Sequence, residues 1–383
     1  MKELRPNIHA IGGVTLCIVP ALLGIFAFAS PVSAQTFSSL QAQKTPLILK
    51  ARGSFFVGGE LKAETANQVG LFAGQDGGHV TVKQMYVQYM VPETAKRRPP
   101  LAFLHGCCLS AKTWETTADG RMGWDEYFVR AGYPVYLADQ VTRGRSGFDQ
   151  STFNDVRAGI RPPSDLPRID NLDEETSIWR AFRVGPTYGT PFPDSQFPVA
   201  AIHEFSKQAI PDMYDGTQLP NPNFDRLSEL AAALHGAVLV GHSMGAGFVL
   251  ETAAAHPDSV IGIVAIEGGC PFNRPPFTDD EIRNLTRMPI LLVYGDHLNA
   301  DTGIGFSWEP GFEECKAFVA RVNAAEGHAR MLHLPELGIH GNTHLLMSDK
   351  NNIEIARLID TWLRENITNI STRSVTRVKD TQR

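Results

Sequence analysis

Several features are scarce in this 383-residue sequence, and each scarcity narrows what the chain can be. It has no internal repeat and no long low-complexity block, which excludes a solenoid or a repeat array. It has no excess of basic residues: 35 Lys and Arg face 41 Asp and Glu, a net charge of −6. The charge becomes −7 once Lys2, Glu3 and Arg5 are removed with the leader described below. Such a balance points away from nucleic acid and from anionic membrane surfaces as partners. No HExxH pair occurs. His340 and His344 are four apart but lack an acidic ligand between them, so neither a metal nor an organic cofactor is expected. Cysteine is sparse, with only Cys17, Cys107, Cys108, Cys270 and Cys315.

The N-terminus carries a targeting signature. Lys2 and Arg5 precede a mostly apolar run over residues 10–29, and Val32-Ser33-Ala34 forms a small-residue cleavage site. The run is nearly long enough to span a bilayer, but Pro20, the paired glycines and the cleavage site favour a signal peptide over residues 1–34. The mature chain is then expected to start near Gln35, with no stable membrane anchor, in the periplasm or outside the cell. Four cysteines remain in an oxidising compartment, an even number that implies two disulfides with three connectivities open.

Residues 35–47 read as a loose leader and residues 367–383 as a polar tail. Between them, over 48–366, apolar runs alternate with helical stretches. LILKARGSFFVGG and HVTVKQMYVQYMVP read as an antiparallel pair. PLAFLHG, PVYLADQ, AVLVGHS, VIGIVAIEG, PILLVYGD and RMLHLP follow, several of them Val/Ile/Leu-rich as in strands buried on both faces. GAGFVLETAAAHP and IEIARLIDTWLREN read as helices. The pattern predicts an α/β fold with a mostly parallel sheet and helices on both sides. The interval between PVYLADQ and AVLVGHS is too long for a plain crossover. It predicts one crossover helix plus an inserted cap over about 150–230.

Gly241-His242-Ser243-Met244-Gly245 stands where a strand meets a helix, the context in which G-x-S-x-G positions a nucleophile. The turn is so tight that its flanks must be small, as Gly241 and Gly245 are. Ser243 then sits at a helix N-terminus, where the Met244 amide can meet an oxyanion. After PLAFL, His105-Gly106 makes Cys107 the second amide donor. Losing one such donor typically costs about 3 kcal/mol of transition-state stabilisation. Cys107 and Cys108 are adjacent, with Cα atoms about 3.8 Å apart against the usual disulfide range of about 4.4–6.8 Å. On geometry alone, crossed pairing with Cys270 and Cys315, or a free thiol, is favoured over a vicinal bridge.

His333 lies inside a strand and reads as structural. His344, before the apolar helix start Leu345-Leu346-Met347, is the favoured base, with His340 the alternative. For the acid, the position three beyond Gly295 is Leu298, which cannot serve, and Asp296 reads as structural. Glu267, at the tip of VIGIVAIEG, is favoured, giving the chain order Ser243…Glu267…His344. Arg143 and Arg145 of TRGRSG read as loop anchors. Trp179, Phe306 and Trp308 are candidates for an acyl or alcohol pocket, although aromatic residues in an insertion more often fill a cap core.

Taken together, HGCCLSAKTWETTADGRMGWDEYF, TRGRSG, GHSMG, VAIEGGCP and LPELGIHGNTH resemble a group of secreted bacterial esterases of the α/β-hydrolase fold. That group has a Ser–Glu–His triad and a vicinal disulfide beside its oxyanion hole. The resemblance spans nearly the whole mature chain, and the tandem-cysteine segment is its most specific mark. It implies Ser243 as nucleophile, Glu267 as acid and His344 as base, with bridges Cys107–Cys108 and Cys270–Cys315 in place of crossed pairs. It further implies a serine carboxylesterase acting on a small-molecule ester without cofactor. The alternatives are a non-catalytic binding protein on the same scaffold, a redox sensor using Cys107–Cys108, or another acyl hydrolase such as a lipase or thioesterase. A homodimer is left open.

Overall fold

The computed structural model describes residue 40 and residues 45–93, 98–213, 221–272 and 274–367. The expected signal peptide, all of the polar tail but residue 367, and most of the leader lie outside the described residues. Eight strands form the central sheet: β1 (Leu49–Glu64), β2 (Gly78–Pro92), β3 (Leu101–Leu104), β4 (Val135–Ala138), β5 (Ala237–His242), β6 (Val260–Ile266), β7 (Pro289–Tyr294) and β8 (His328–His333). Their spatial order is β1-β2-β4-β3-β5-β6-β7-β8. Only β2 runs against its neighbours, pairing antiparallel with both β1 and β4, and every later pair is parallel. β1 continues past the Gly58-Gly59 pair to Glu64, farther than the alternating pattern suggested.

The short central strands are apolar at successive positions because the sheet is covered on both faces. Side chains alternate between two cores with the period of two that a pleated strand imposes. Leu101, Phe103, Val238, Val240, Val264, Ile266, Leu291 and Val293 belong to one core. Ala102, Leu104, Leu239, Ile263, Ala265, Ile290 and Leu292 belong to the other. Helices α1 (Trp124–Arg130) and α6 (Asn352–Asn366) pack on the first face. Helices α2 (Pro222–Ala233), α3 (Met244–Ala255), α4 (Asp279–Leu285) and α5 (Glu309–Ala324) pack on the second.

The strand order turns back at β4-β3-β5, a topological switch point, and in such sheets ligands bind outside the carboxyl ends of the strands. Those ends lead directly into His105, Ser243 and Glu267. The stretch between β4 and β5 holds the helix Ser151–Arg157, the helix Ile202–Ser206 and a two-stranded ribbon pairing Ile169–Asp170 with Asp212–Met213. It also holds a π-helical turn, Glu174–Ala181, capped by Asp173 accepting from the Thr176 and Ser177 amides, and it ends in α2, the crossover helix. Ile178, Trp179, Phe197 and Phe205 bury themselves in the first core, so this excursion is packed down on the sheet.

Candidate active site

Ser243 takes φ 55° and ψ −122°, left-handed backbone that a residue with a side chain adopts only when its surroundings enforce it. The enforcement is steric. A Cβ on Gly241 would lie 2.2 Å from the Gly245 carbonyl oxygen, and one on Gly245 would lie 2.3 Å from that of His105. The chain can bend this sharply only with bare backbone on both sides of the serine. The Ser243 amide donates to Ile266 O (2.8 Å), which locks the turn to β6. The oxyanion loop closes from the other side, since a Cβ on Gly106 would come within 2.8 Å of Ser243 Cβ.

His105 shapes that loop as a neutral ring. Its Nδ1 donates to Gly106 O (2.8 Å) and its Nε2 accepts from the Gln140 amide (3.0 Å), while burial holds its pKa at about 4. Cys108 also has a left-handed φ of 58°, and its amide donates to Asp212 Oδ2 (3.1 Å). Asp212 in turn forms a buried ion pair with Arg143. Arg145 donates through Nε to Asp139 Oδ2 (2.7 Å) and lies over the Tyr86 ring. Both arginines of TRGRSG therefore anchor loops.

The sulfurs of Cys107 and Cys108 stand 2.7 Å apart, beyond the bond length of about 2.0 Å, so the bridge implied by the resemblance is not formed in the structure. The contact with Cys108, and then burial, push the Cys107 thiol far up. Cys270 and Cys315 are joined in a disulfide. It ties the loop three residues beyond Glu267 to α5.

Glu267 and His344 are fully buried and meet, His344 Nδ1 donating to Glu267 Oε2 at 3.1 Å. The imidazole is stacked on Trp308 (4.0 Å between ring centroids) and lies against Phe182 (4.8 Å) and His242 (4.7 Å). His242, the residue before Ser243, makes a 2.8 Å hydrogen bond through Nε2 to the His344 carbonyl. The contact places His344 beside the nucleophile turn. The opposite edge of His344, Nε2, is buried and has no partner among the described residues. No hydrogen bond joins it to Ser243 in the structure. Burial lowers the His344 pKa, Glu267 opposes that, and Arg183 adds to it. Burial likewise holds His242 at about 3, so it is neutral.

Glu267 is another left-handed residue, at φ 54°. Burial pushes its carboxyl up, but Arg183, His344 and the Gly295 amide outweigh burial and hold the pKa at about 2. Arg183 Nη2 lies 2.8 Å from each carboxylate oxygen. Nothing in the sequence pointed to Arg183. It follows the π-helical turn in a stretch without a motif.

His340 is exposed and pairs with Asp296 (3.1 Å), away from the buried pair, and His333 pairs with Glu336 and packs on Phe312. Asp349 is a further residue the sequence reading missed. Its carboxylate binds the Thr343 amide, the Thr343 hydroxyl and Asn342, fixing the loop that presents His344. Trp179 is core, and Phe306 is half-exposed and packs edge-on against Trp308. Two groups among the described residues bring potential metal-ligand atoms together, Cys107–Cys108–Asp212 and Asp194–Asp296–His297. In the first, Asp212 is taken by Arg143 and the Cys108 amide. In the second, His297 Nε2 is paired with Asp194 (2.9 Å) and Asp296 with His340 and the Gly341 amide.

No protein-family model matches the chain. Among solved structures, a bacterial esterase is 42% identical and superposes with a TM-score of 0.78, the match covering 85% of this chain and 99% of that one. A probable secreted lipase, phiG, of a fungal species is 26% identical, with 76% of this chain and 88% of that protein covered. Sheet order, the G-x-S-x-G turn and this relationship agree: the chain belongs to the α/β-hydrolase superfamily, in the group of bacterial esterases to which that structure belongs.

Proposed function

We propose that this protein is a secreted serine carboxylesterase in which Ser243 is the nucleophile, His344 the general base and Glu267 the acid that orients it. The observation that carries the reading is a single juxtaposition. A strained serine ends β5, and His242, the residue before it, packs on and hydrogen-bonds the residue carrying a buried imidazole whose Nδ1 is held by a carboxylate and whose Nε2 has no partner among the described residues. The 42%-identical bacterial esterase and the fungal lipase support a carboxylic ester as the substrate class. The Cys270–Cys315 disulfide and the secreted relative support export, and no described helix is long and apolar enough to cross a membrane.

In this reading His344 Nε2 takes the Ser243 hydroxyl proton as Oγ attacks the ester carbonyl. The amides of Cys107 and Met244 hold the oxyanion, and Glu267 stabilises the imidazolium. The alcohol leaves with the proton from His344, and water, activated in the same way, hydrolyses the acyl-enzyme. The proposal includes a Cys107–Cys108 bridge, which would stiffen the loop carrying one oxyanion donor. Thiol titration of the unfolded mature protein tests it: no free thiol is expected, and two free thiols would remove the bridge from the account.

The direct test of the function is covalent labelling by an organophosphonate together with ester turnover. Wild-type protein should be labelled at Ser243. The Ser243→Ala variant should fold, escape labelling and lose about 10⁶ in kcat. Wild-type turnover by that variant would end the proposal. Aryl, short-chain and long-chain esters offered in parallel separate an esterase from a lipase.

A further inference from the structure

Arg183 is the least expected member of the site. It is nearly fully buried, its backbone is left-handed at φ 63°, and it issues from the π-helical turn Glu174–Ala181. π-Turns are rare and gather at functional sites. The guanidinium is committed on two edges, with Nη2 bridging both oxygens of Glu267 and Nε donating to Asp296 O at 2.7 Å. Nη1 is buried without a partner among the described residues. The preceding residue holds the other half of the same pair. Phe182 O accepts from the His344 amide (3.0 Å) and the Phe182 ring lies against the imidazole. One dipeptide from the inserted stretch thus grips both the acid and the base.

Resting on the triad reading above, we propose that Arg183 is a positioning residue: its two-pronged contact holds Glu267 turned so that one oxygen faces His344. A buried ion pair does little for folding, since desolvation offsets most of the attraction and apolar replacements are often neutral or better. Its place beside the acid is better explained by a role in the site than by a contribution to folding. A carboxylate that accepts from Gly295, His344 and a guanidinium has no freedom to rotate away from the imidazole.

The fixed positive charge also sets when the Glu267–His344 pair takes up a proton. The other titratable groups around the pair are His242 from the end of β5, Tyr294 from the end of β7, Asp296 just beyond it and Asp349 from the loop before α6. His242 is neutral, burial holds the Tyr294 hydroxyl protonated, Asp296 faces Arg183 with its carbonyl, and burial raises Asp349 to about 6. Arg183 supplies the positive charge against Glu267, through Nη2 on both carboxylate oxygens. Without it, the pair binds its proton at higher pH.

The test compares Arg183→Met, Arg183→Lys, Glu267→Gln and the Arg183→Met/Glu267→Gln double variant, using the whole mature protein and a neutral aryl ester. Rates are taken per site counted by organophosphonate titration. Arg183→Met should move the acid limb of kcat/KM upward by about one pH unit and lower kcat on the plateau by tens-fold. Added to Glu267→Gln, it should lower kcat no further. Arg183→Lys keeps the charge but not the fork, so its limb should stay at the wild-type pH while kcat falls about tenfold with KM unchanged. An unmoved limb in Arg183→Met, or an equal loss in both backgrounds, overturns the proposal. If Arg183→Met does not fold, Arg183→Lys decides alone, and wild-type kcat there overturns it. Wild-type turnover by Glu267→Gln is a separate result, one that removes the triad reading itself.

Discussion

The two halves of the proposed catalytic site, nucleophile and acid–base, are built in opposite ways. The nucleophile half is local. Ser243, the Met244 amide and the two flanking glycines lie within five consecutive residues, and their arrangement follows from which positions tolerate a Cβ. The acid–base half is assembled from afar. Glu267 comes from β6, His344 from the loop before α6, Arg183 and Phe182 from the long inserted stretch, and Trp308 from the cap of α5. The first half is a matter of sterics and the second of electrostatics in a dry interior. A nucleophile turn can therefore be carried whole in a short motif, whereas tuning the base requires most of the chain.

The comparison breaks most visibly at the base. His344→Ala should cost about 10⁶ in kcat, as much as removing Ser243, because the two act as one unit. Equal losses in each single variant and in the double variant, measured on one ester, would show the halves working together. Glu267→Gln should cost about 10⁴, less because the histidine remains but loses its orientation and its counter-charge. Stability should separate the halves as well. Replacing Cys270 and Cys315 with serine opens a crosslink spanning 45 residues and should cost about 4 kcal/mol in denaturant unfolding. Gly241→Ala should cost up to about 3 kcal/mol, because its methyl group would meet backbone that cannot move aside.

The same division explains how much could be read from the sequence. The strands themselves, and a mostly parallel sheet with helices on both faces, follow from apolar runs that alternate with helical stretches, whereas the spatial strand order does not. Ser243 follows from a motif in its strand–turn–helix context. Glu267 was reached by elimination, since Leu298 cannot ionise, and the structure puts it on His344 Nδ1. His344 and His340 differ by burial, which no spacing rule encodes: one faces Glu267, the other faces Asp296 at the surface. Arg183 was out of reach because it acts across 84 residues, through a contact no local pattern marks. The Thr343–Asp349 contacts are the nearer miss, as a polar Asn-Thr pair a few residues before an Asp is the kind of signal a loop-fixing carboxylate leaves.

The smallest expected effect is the most specific to the acid–base half. In the proposed mechanism His344 must be neutral to accept the Ser243 proton, so activity is lost as pH falls through its pKa. Burial lowers that pKa, so the wild-type acid limb of kcat/KM should lie below the ordinary histidine value of about 6.5. Trp308 contributes to that burial, its indole stacked at 4.0 Å on the imidazole and its Nε1 donating to Ala181 O. Trp308→Ala would admit water to the ring and weaken the desolvation that depresses the pKa, so the limb should rise by a few tenths of a unit. Losing a stack of about 1 kcal/mol should lower plateau kcat roughly fivefold. Both changes leave the Ser243 turn untouched, so organophosphonate should still label every site. A Trp308→Ala enzyme that lost labelling along with its rate would show that the two halves are not separable and that the stack holds the nucleophile turn as well as the base.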